Sequence, residues 1–271
     1  MATADRIQDG HSVPVRLARS KVPEVTALFW IIKVLTTGMG ESASDWLLNR
    51  GAGVAGIGIG ISLGLDIAIF VVALILQFST RRYVAGVYWF AVVAVSLFGT
   101  IAADIAFFIG VPLWASTTFY ASALAVNFVL WYASERTLSI HSIHTRRRET
   151  FYWITVFLTF ALGTALGDLT AVTWKLGFLV SGIMFAALIA LPAIAHWRFG
   201  LNAIVAFWSA YVVTRPLGAS FADWFGASHH DGGLGLGFGW VTLVMTVMIV
   251  GLVGYLARSQ RGSSPEQLPA P

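Results

Sequence analysis

Eight apolar segments, each about as long as a helix that crosses a membrane, follow one another along this chain. A hydrocarbon core of about 30 Å needs roughly 20 apolar residues in a helix. Hydrophobic residues make up 57% of the 271 residues and charged residues only 11%, a balance that excludes an ordinary soluble domain. The sequence therefore predicts an all-α polytopic membrane protein with eight transmembrane helices over 24–48, 54–78, 84–109, 113–134, 151–173, 177–197, 200–225 and 236–257.

The lysines and arginines predict how these helices are oriented. Thirteen of them fall on the side of the membrane that holds the N terminus, and only Arg50 and Lys175 fall on the other. Basic loops stay in the cytoplasm, so we expect both termini to be cytoplasmic and the protein to lie in a bacterial inner (plasma) membrane. The predicted parts are a cytoplasmic N-terminal segment over 1–22, one transmembrane domain over 23–257 and a disordered cytoplasmic tail over 258–271.

The odd-numbered predicted helices share one motif. Phe or Tyr precedes a Trp, a glycine follows ten residues after that Trp, and an aspartate follows fifteen residues after it. Four copies at one spacing indicate four helical hairpins, over about 23–80, 81–136, 146–198 and 199–257. All four hairpins start on the same side, so we expect parallel-topology repeats with pseudo-fourfold or two-plus-two symmetry. The motif residues are Trp30, Trp89, Trp153 and Trp208; Gly40, Gly99, Gly163 and Gly218; and Asp45, Asp104, Asp168 and Asp223.

These repeats resemble those of a bacterial family of uncharacterised membrane-anchored proteins, which carry four tandem two-span repeats of unknown function. The resemblance runs from about Val22 to Ala257 and depends on the four motif tryptophans and the spacing around them. It implies the topology given above. It implies no activity, so the function has to be inferred from the residues.

The tryptophan, glycine and aspartate of the motif have different predicted roles, because they lie at different depths in the membrane. A tryptophan near the cytoplasmic end of a span suits the lipid interface, and the glycine permits close helix approach. A carboxylate within a span is costly unless it is paired, protonated or hydrated. The motif aspartates, Glu41 and Asp66 place six acids in predicted helices, against only Lys33 and Arg215 as basic residues. Four aspartates facing one axis would form a cation site or a selectivity constriction.

Differences between the copies add further candidates. Glu41 lies four residues before Asp45 on the same helix face, and the two would supply oxygen ligands for a divalent cation. Arg215 is expected to act as a counter-ion to the acids or to gate them. Lys33 and Asp66 are predicted to form a structural ion pair, with a proton relay as the alternative. The cluster after the fourth motif is either a solvated loop or a metal-collecting mouth, and its residues are His229, His230 and Asp231.

The function favoured by these observations is a secondary transporter or channel-like exporter of a small cation, with a divalent metal and a proton-coupled ion both open. The alternative is a non-transporting scaffold or sensor subunit, whose aspartates hold the hairpins together and whose partner surface is the loop 135–150. The sequence has no catalytic constellation, so neither an enzyme nor a cofactor is expected. Lipid headgroups rather than nucleic acid account for the basic residues, because these flank the apolar segments. The sequence indicates no particular protein partner.

Overall fold

The fold is described from a computed structural model that covers residues 20–52 and 57–262. Eight α-helices account for most of this part of the chain, which contains no strand. The predicted all-α class and the order of the helices are therefore confirmed. The helices are α1 (Ala27–Ala52), α2 (Ile57–Ser79), α3 (Ala85–Phe108), α4 (Leu113–Glu135), α5 (Arg146–Asp168), α6 (Gly177–Phe199), α7 (Ala203–Gly226) and α8 (Phe238–Gly262).

Local sequence explains where several helices begin and end. The Thr145 hydroxyl accepts a hydrogen bond from the Arg148 amide and caps the start of α5. Part of the predicted polar loop 135–150 is consequently helical. Gly200 ends α6 with a φ of +69°, a conformation that glycine adopts without strain. At the C terminus α8 continues to Gly262, beyond the predicted boundary at 257. The predicted tail after that point, and the N-terminal segment up to residue 19, lie outside the described residues.

The odd-numbered helices form a closed inner ring. Each of α1, α3, α5 and α7 packs against the next, and α7 closes the ring against α1. The even-numbered helices lie outside it, and each packs mainly on the inner helix of the following repeat: α2 on α3, α4 on α5, α6 on α7, and α8 on α1. The hairpins therefore interlock around one axis, as the pseudo-fourfold alternative predicts.

The motif tryptophans join neighbouring repeats. The Phe or Tyr before each tryptophan packs against the tryptophan of the next repeat, and the last repeat packs against the first. Three of the four tryptophans are buried, so the predicted position at the lipid interface is wrong for them: the protein, not lipid, surrounds their rings. The ring pairs and their centroid distances are Phe29–Trp89 at 5.7 Å, Tyr88–Trp153 at 5.8 Å, Tyr152–Trp208 at 6.2 Å and Phe207–Trp30 at 5.6 Å.

The motif glycines follow the same cyclic order. Each lies against the side chain seven residues after the tryptophan of the next repeat, at a distance where an added methyl group would overlap it. Glycine is required at these positions because the helices approach so closely. The neighbouring pairs are Gly40 with Ser96, Gly99 with Phe160, Gly163 with Arg215, and Gly218 with Thr37.

Five of the helices are long and apolar enough to cross a membrane: α3, α4, α5 with its extension to Thr173, α6 and α8. The described apolar part of α2, Leu63–Ser79, is shorter. The inner helices α1 and α7 contain the buried charged side chains Lys33, Glu41 and Arg215. The helices are thus those of a membrane protein in which most of the buried charged side chains belong to the ring.

Candidate functional site

Side chains at four-residue intervals along the inner helices face one another around the axis of the ring. Because four residues correspond to about 6 Å of helix, they form successive layers. We call the two ends of the bundle the tryptophan end and the aspartate end. From the first to the second, the layers are the aromatic layer (Phe29, Tyr88, Tyr152, Phe207), the lysine layer (Lys33, Val92, Val156, Tyr211), the arginine layer (Thr37, Ser96, Phe160, Arg215), the glutamate layer (Glu41, Thr100, Thr164, Ala219) and the aspartate layer (Asp45, Asp104, Asp168, Asp223).

Arg215 connects all four repeats. Its side chain has 0% exposure, and its Nη2 atom donates to Glu41 Oε2 at 2.7 Å, which forms a buried ion pair. The same nitrogen donates to the hydroxyls of Thr100 and Thr164, and Nη1 donates to the Thr37 carbonyl oxygen at 2.8 Å. Every partner is a motif-related position of another repeat. The expectation that Arg215 acts as a counter-ion agrees with this pairing.

Neighbouring residues fix the position of the guanidinium group. Thr164 donates to Glu41 Oε2 at 3.0 Å while it accepts from Arg215, so the three side chains form one network. The Phe160 ring lies on the other side, with its centroid 5.1 Å from Arg215 Cζ. Gly163 leaves the space through which the arginine side chain passes.

The aspartate layer gathers the acids beyond this network. Oxygens of Glu41, Asp45 and Asp223 all lie within 4.8 Å of one another. Asp45, Asp104 and Asp168 line a cavity of about 220 Å³ at the aspartate end, together with apolar side chains that include Leu48. The structure therefore brings the four motif aspartates and Glu41 together, rather than leaving each within its own hairpin.

In the part of the chain that the structure describes, one motif aspartate accepts a hydrogen bond from a serine of a neighbouring repeat. Ser44 Oγ donates to Asp104 Oδ2 at 2.7 Å. The positions equivalent to Ser44 in the other repeats are Ala103, Gly167 and Ala222, which have no side-chain donor. A donor at the Ser44 position therefore does not account for the other three aspartates.

Asp223 is the most deeply buried of the four aspartates. It is 6% exposed, and its Oδ1 has no hydrogen-bond partner among the described residues. An oxygen of its carboxyl group lies within 4.8 Å of an oxygen of the Asp45 carboxyl group. Two ionised carboxylates at this separation repel each other, and a proton or a cation between them would relieve the repulsion.

The tryptophan end of the ring is closed. In the aromatic layer the Tyr88 and Tyr152 hydroxyls are 2.5 Å apart. The loop after α4 packs over this end, since Ile140 and Ile143 are buried and the Trp208 indole donates to the Leu138 carbonyl oxygen at 2.9 Å. The axis of the ring is therefore closed at the tryptophan end, and the cavity among the acids opens at the aspartate end. A second cavity of about 840 Å³ lies beside the ring at the tryptophan end, between α1, α6, α7 and the loop after α4, and its lining includes Trp30, Leu138 and Phe207.

The predicted ion pair between Lys33 and Asp66 is not formed. Lys33 Nζ and both Asp66 carboxylate oxygens are buried without a hydrogen-bond partner in the described part of the chain. Lys33 Nζ lies instead over the rings of Phe160, 3.9 Å from the centroid, and Tyr211, at 4.3 Å. Lys33 faces the ring axis, and aromatic faces replace the predicted carboxylate there.

The histidines after the fourth motif lie in a short turn, and the described ligand atoms of His229, His230 and Asp231 do not have metal-ligand spacing. His229–Asp231 is a short 3₁₀ helix in which Ser228 donates to Asp231 Oδ2 at 2.6 Å and the His229 ring contacts the Gly233 carbonyl oxygen at 3.1 Å. Ser228 and His230 hold the pKa of the exposed Asp231 below its usual value. Among the described residues the acid group with metal-ligand spacing is Glu41, Asp45 and Asp223 instead.

Two features were not predicted from the sequence. A π-helical turn, Leu169–Thr173, directly follows Asp168, and such turns are frequent at functional sites. At the tryptophan end, buried Glu149 accepts from Lys21 Nζ at 2.5 Å and from Gln77 Nε2 at 3.1 Å. Glu149 lies directly before an apolar segment, and this position in the sequence is the feature that could have predicted the second ion pair.

The interlocked repeats and the shared acidic layer define an all-helical membrane protein built from four copies of one hairpin. The chain belongs to the family described as Repeat of Unknown Function (DUF347), whose model matches residues 28–83, 87–137, 151–201 and 206–262. The resemblance inferred from the tryptophan spacing is thereby confirmed. No curated protein and no solved structure shows significant similarity to the chain.

Proposed function

We propose that this protein transports a small cation through the ring of inner helices. One observation carries the proposal: five carboxylates, Glu41 and the four motif aspartates, meet at one end of the ring, where a single guanidinium pairs with one of them. Ionised acids in such a place need positive charge nearby, and the described residues supply too little of it. A mobile cation, or protons that exchange with it, would neutralise the remaining negative charge of the carboxylates.

The closed tryptophan end indicates how transport would be controlled. An ion that enters the cavity at the aspartate end meets Arg215, then Lys33, and then the aromatic layer, through which no ion passes without rearrangement of the ring. A secondary transporter with alternating access fits this arrangement better than an open channel. The basic residues further suggest eight spans, with the tryptophan end and both termini in the cytoplasm of a bacterium.

A scaffold or sensor subunit is the second candidate, and the Ser44–Asp104 hydrogen bond favours it. In that case the aspartates hold repeats together, and the loop between α4 and α5 is the partner surface. The exposed His141 and His144 lie on this loop. Aspartate-to-asparagine changes separate the two functions, because asparagine keeps a hydrogen bond but loses the charge that binds a cation.

The test is ion flux into proteoliposomes that contain the purified protein and either a pH-sensitive or a divalent-metal-sensitive dye. We expect Asp45→Asn, Asp104→Asn, Asp168→Asn and Asp223→Asn each to lower the flux at least tenfold at equal reconstituted amounts. Asp231→Asn is the matched control, since this acid lies at the same end but is exposed outside the ring, and its flux should equal that of the parent. Parental flux in all four ring variants would refute transport through the ring.

A further inference from the structure

We infer that Glu41, Asp45 and Asp223 form a binding site for one hard divalent cation at the interface of α1 and α7. The inference rests on the proposed function, because it names the class of ion and the place where it binds. It adds that the four repeats are not equivalent, and that the first and fourth supply the ligands. Asp104 and Asp168 would then line the approach to the site rather than coordinate the ion.

The spacing of the oxygens fits a metal ion. Two ligands on opposite sides of a Ca²⁺ ion are about 4.6–5.2 Å apart, because each metal–oxygen distance is about 2.3–2.6 Å. The three carboxylates offer oxygens that all lie within 4.8 Å of one another. An ion between them would need no large movement of the helices.

A second observation points to a ligand at this place. Asp223 Oδ1 is buried without a hydrogen-bond partner in the described residues, although oxygens of Glu41 and Asp45 lie within 4.8 Å of its carboxyl group. A buried oxygen without a partner has lost its hydration and gained nothing in return, so its persistence requires compensation. A bound cation would satisfy this oxygen and remove the repulsion between the carboxylates.

The charges favour a divalent over a monovalent ion. Glu41, Asp45 and Asp223 carry three negative charges when ionised, and the ion pair with Arg215 offsets one of them. The remaining two charges match one divalent cation. All the ligands are carboxylate oxygens, without cysteine or histidine, which is the set that hard cations prefer.

The hydrogen bonds around Glu41 orient its carboxylate so that it can bind a cation. Arg215 and Thr164 both donate to Oε2, and no described residue donates to Oε1. One oxygen therefore fixes the orientation of the carboxylate while the other stays available. The other repeats have Thr100, Thr164 and Ala219 at this position, so only the first can supply a carboxylate here.

Mn²⁺ binding to the purified protein in detergent, followed through loss of the free Mn²⁺ paramagnetic resonance signal, tests the site. We expect one Mn²⁺ per chain, displaced by Ca²⁺ but not by K⁺ at the same concentration. Asp223→Asn and Glu41→Gln should each weaken binding at least tenfold. Asp223→Asn is the decisive variant because it leaves the Arg215–Glu41 pair intact and so separates ligand loss from misfolding.

Asp168→Asn and Asp231→Asn are the comparison variants, and both should bind Mn²⁺ within about threefold of the parent. Absence of Mn²⁺ binding by the folded parent, or unchanged affinity in Asp223→Asn, would overturn the site. Flux of protons or monovalent ions without Mn²⁺ binding would leave the proposed transport standing and remove only this inference. Mn²⁺ binding that depends on Asp223, without flux of any ion, would support the site and count against transport.

Discussion

Arg215 is the residue at which the fourfold pattern becomes asymmetric. Its equivalents in the other repeats are Thr37, Ser96 and Phe160, and none of these carries a charge. The symmetric packing nevertheless creates its binding pocket, because Gly163 leaves room for the side chain and the two glutamate-layer threonines accept from it. A repeated scaffold thus positions a single cation beside a single glutamate.

Removal of Arg215 alone should destabilise the protein strongly. Arg215→Met leaves the Glu41 carboxylate buried without its partner, and breaking a buried pair from one side costs about 3–5 kcal/mol. We expect a clearly lower thermal midpoint in detergent, which the intrinsic fluorescence of the 11 tryptophans can follow. The double variant Glu41→Gln, Arg215→Met removes both charges and should recover most of the loss. Equal midpoints for the single and double variants would contradict the energetic role of the pair.

The sequence predicted the depth of charged residues in the membrane better than it predicted which side chains they contact. Counting residues placed Lys33 and Asp66 at comparable depth, yet each lies without the other because depth does not specify which face of α2 turns toward α1. The partners of Arg215 are a similar case. Glu41 was a natural candidate, whereas the Thr37 carbonyl oxygen becomes a partner only through the close approach of α1 and α7.

At the scale of the helices, the glycine positions determine how tightly the ring closes. The spacing predicted helices close to those observed, since apolar length and the Thr145 and Gly200 caps are both local properties. The sequence did not predict which helices pack against one another. The packing of each outer helix on the following repeat depends on surfaces that are complementary only after the ring has formed.

Gly99→Ala should loosen this ring. The new methyl group would lie 2.6 Å from Phe160 Cβ and close to the α5 backbone, so α3 and α5 would have to separate. Overpacking of this kind costs about 1–3 kcal/mol, and we expect a lower thermal midpoint. Gly251→Ala in α8 is the control, because nothing lies near the added methyl and alanine favours a helix by up to about 1 kcal/mol. A midpoint for Gly99→Ala as high as that for Gly251→Ala would show that the contact is not required.

At the scale of the whole molecule, the two ends of the bundle differ in a way that transport requires. The aspartate end holds the cavity lined by acids, and at the tryptophan end the aromatic layer closes the ring axis beside the Lys21–Glu149 pair. Because each repeat contributes to every layer, movement of one inner helix would disturb its neighbours on both sides. The ring is therefore suited to concerted rather than local opening.

The orientation of these ends across the membrane can be tested directly, because the chain contains no cysteine. Single cysteines at His230→Cys and His144→Cys would mark the aspartate end and the tryptophan end at exposed positions. If basic residues direct the tryptophan end to the cytoplasm, a membrane-impermeant maleimide should label His230→Cys in intact spheroplasts. His144→Cys should be labelled only after the membrane is permeabilised. The cysteine-free parent supplies the background, and labelling of His144→Cys before permeabilisation would reverse the orientation and, with it, the side from which a cation reaches the acidic layer.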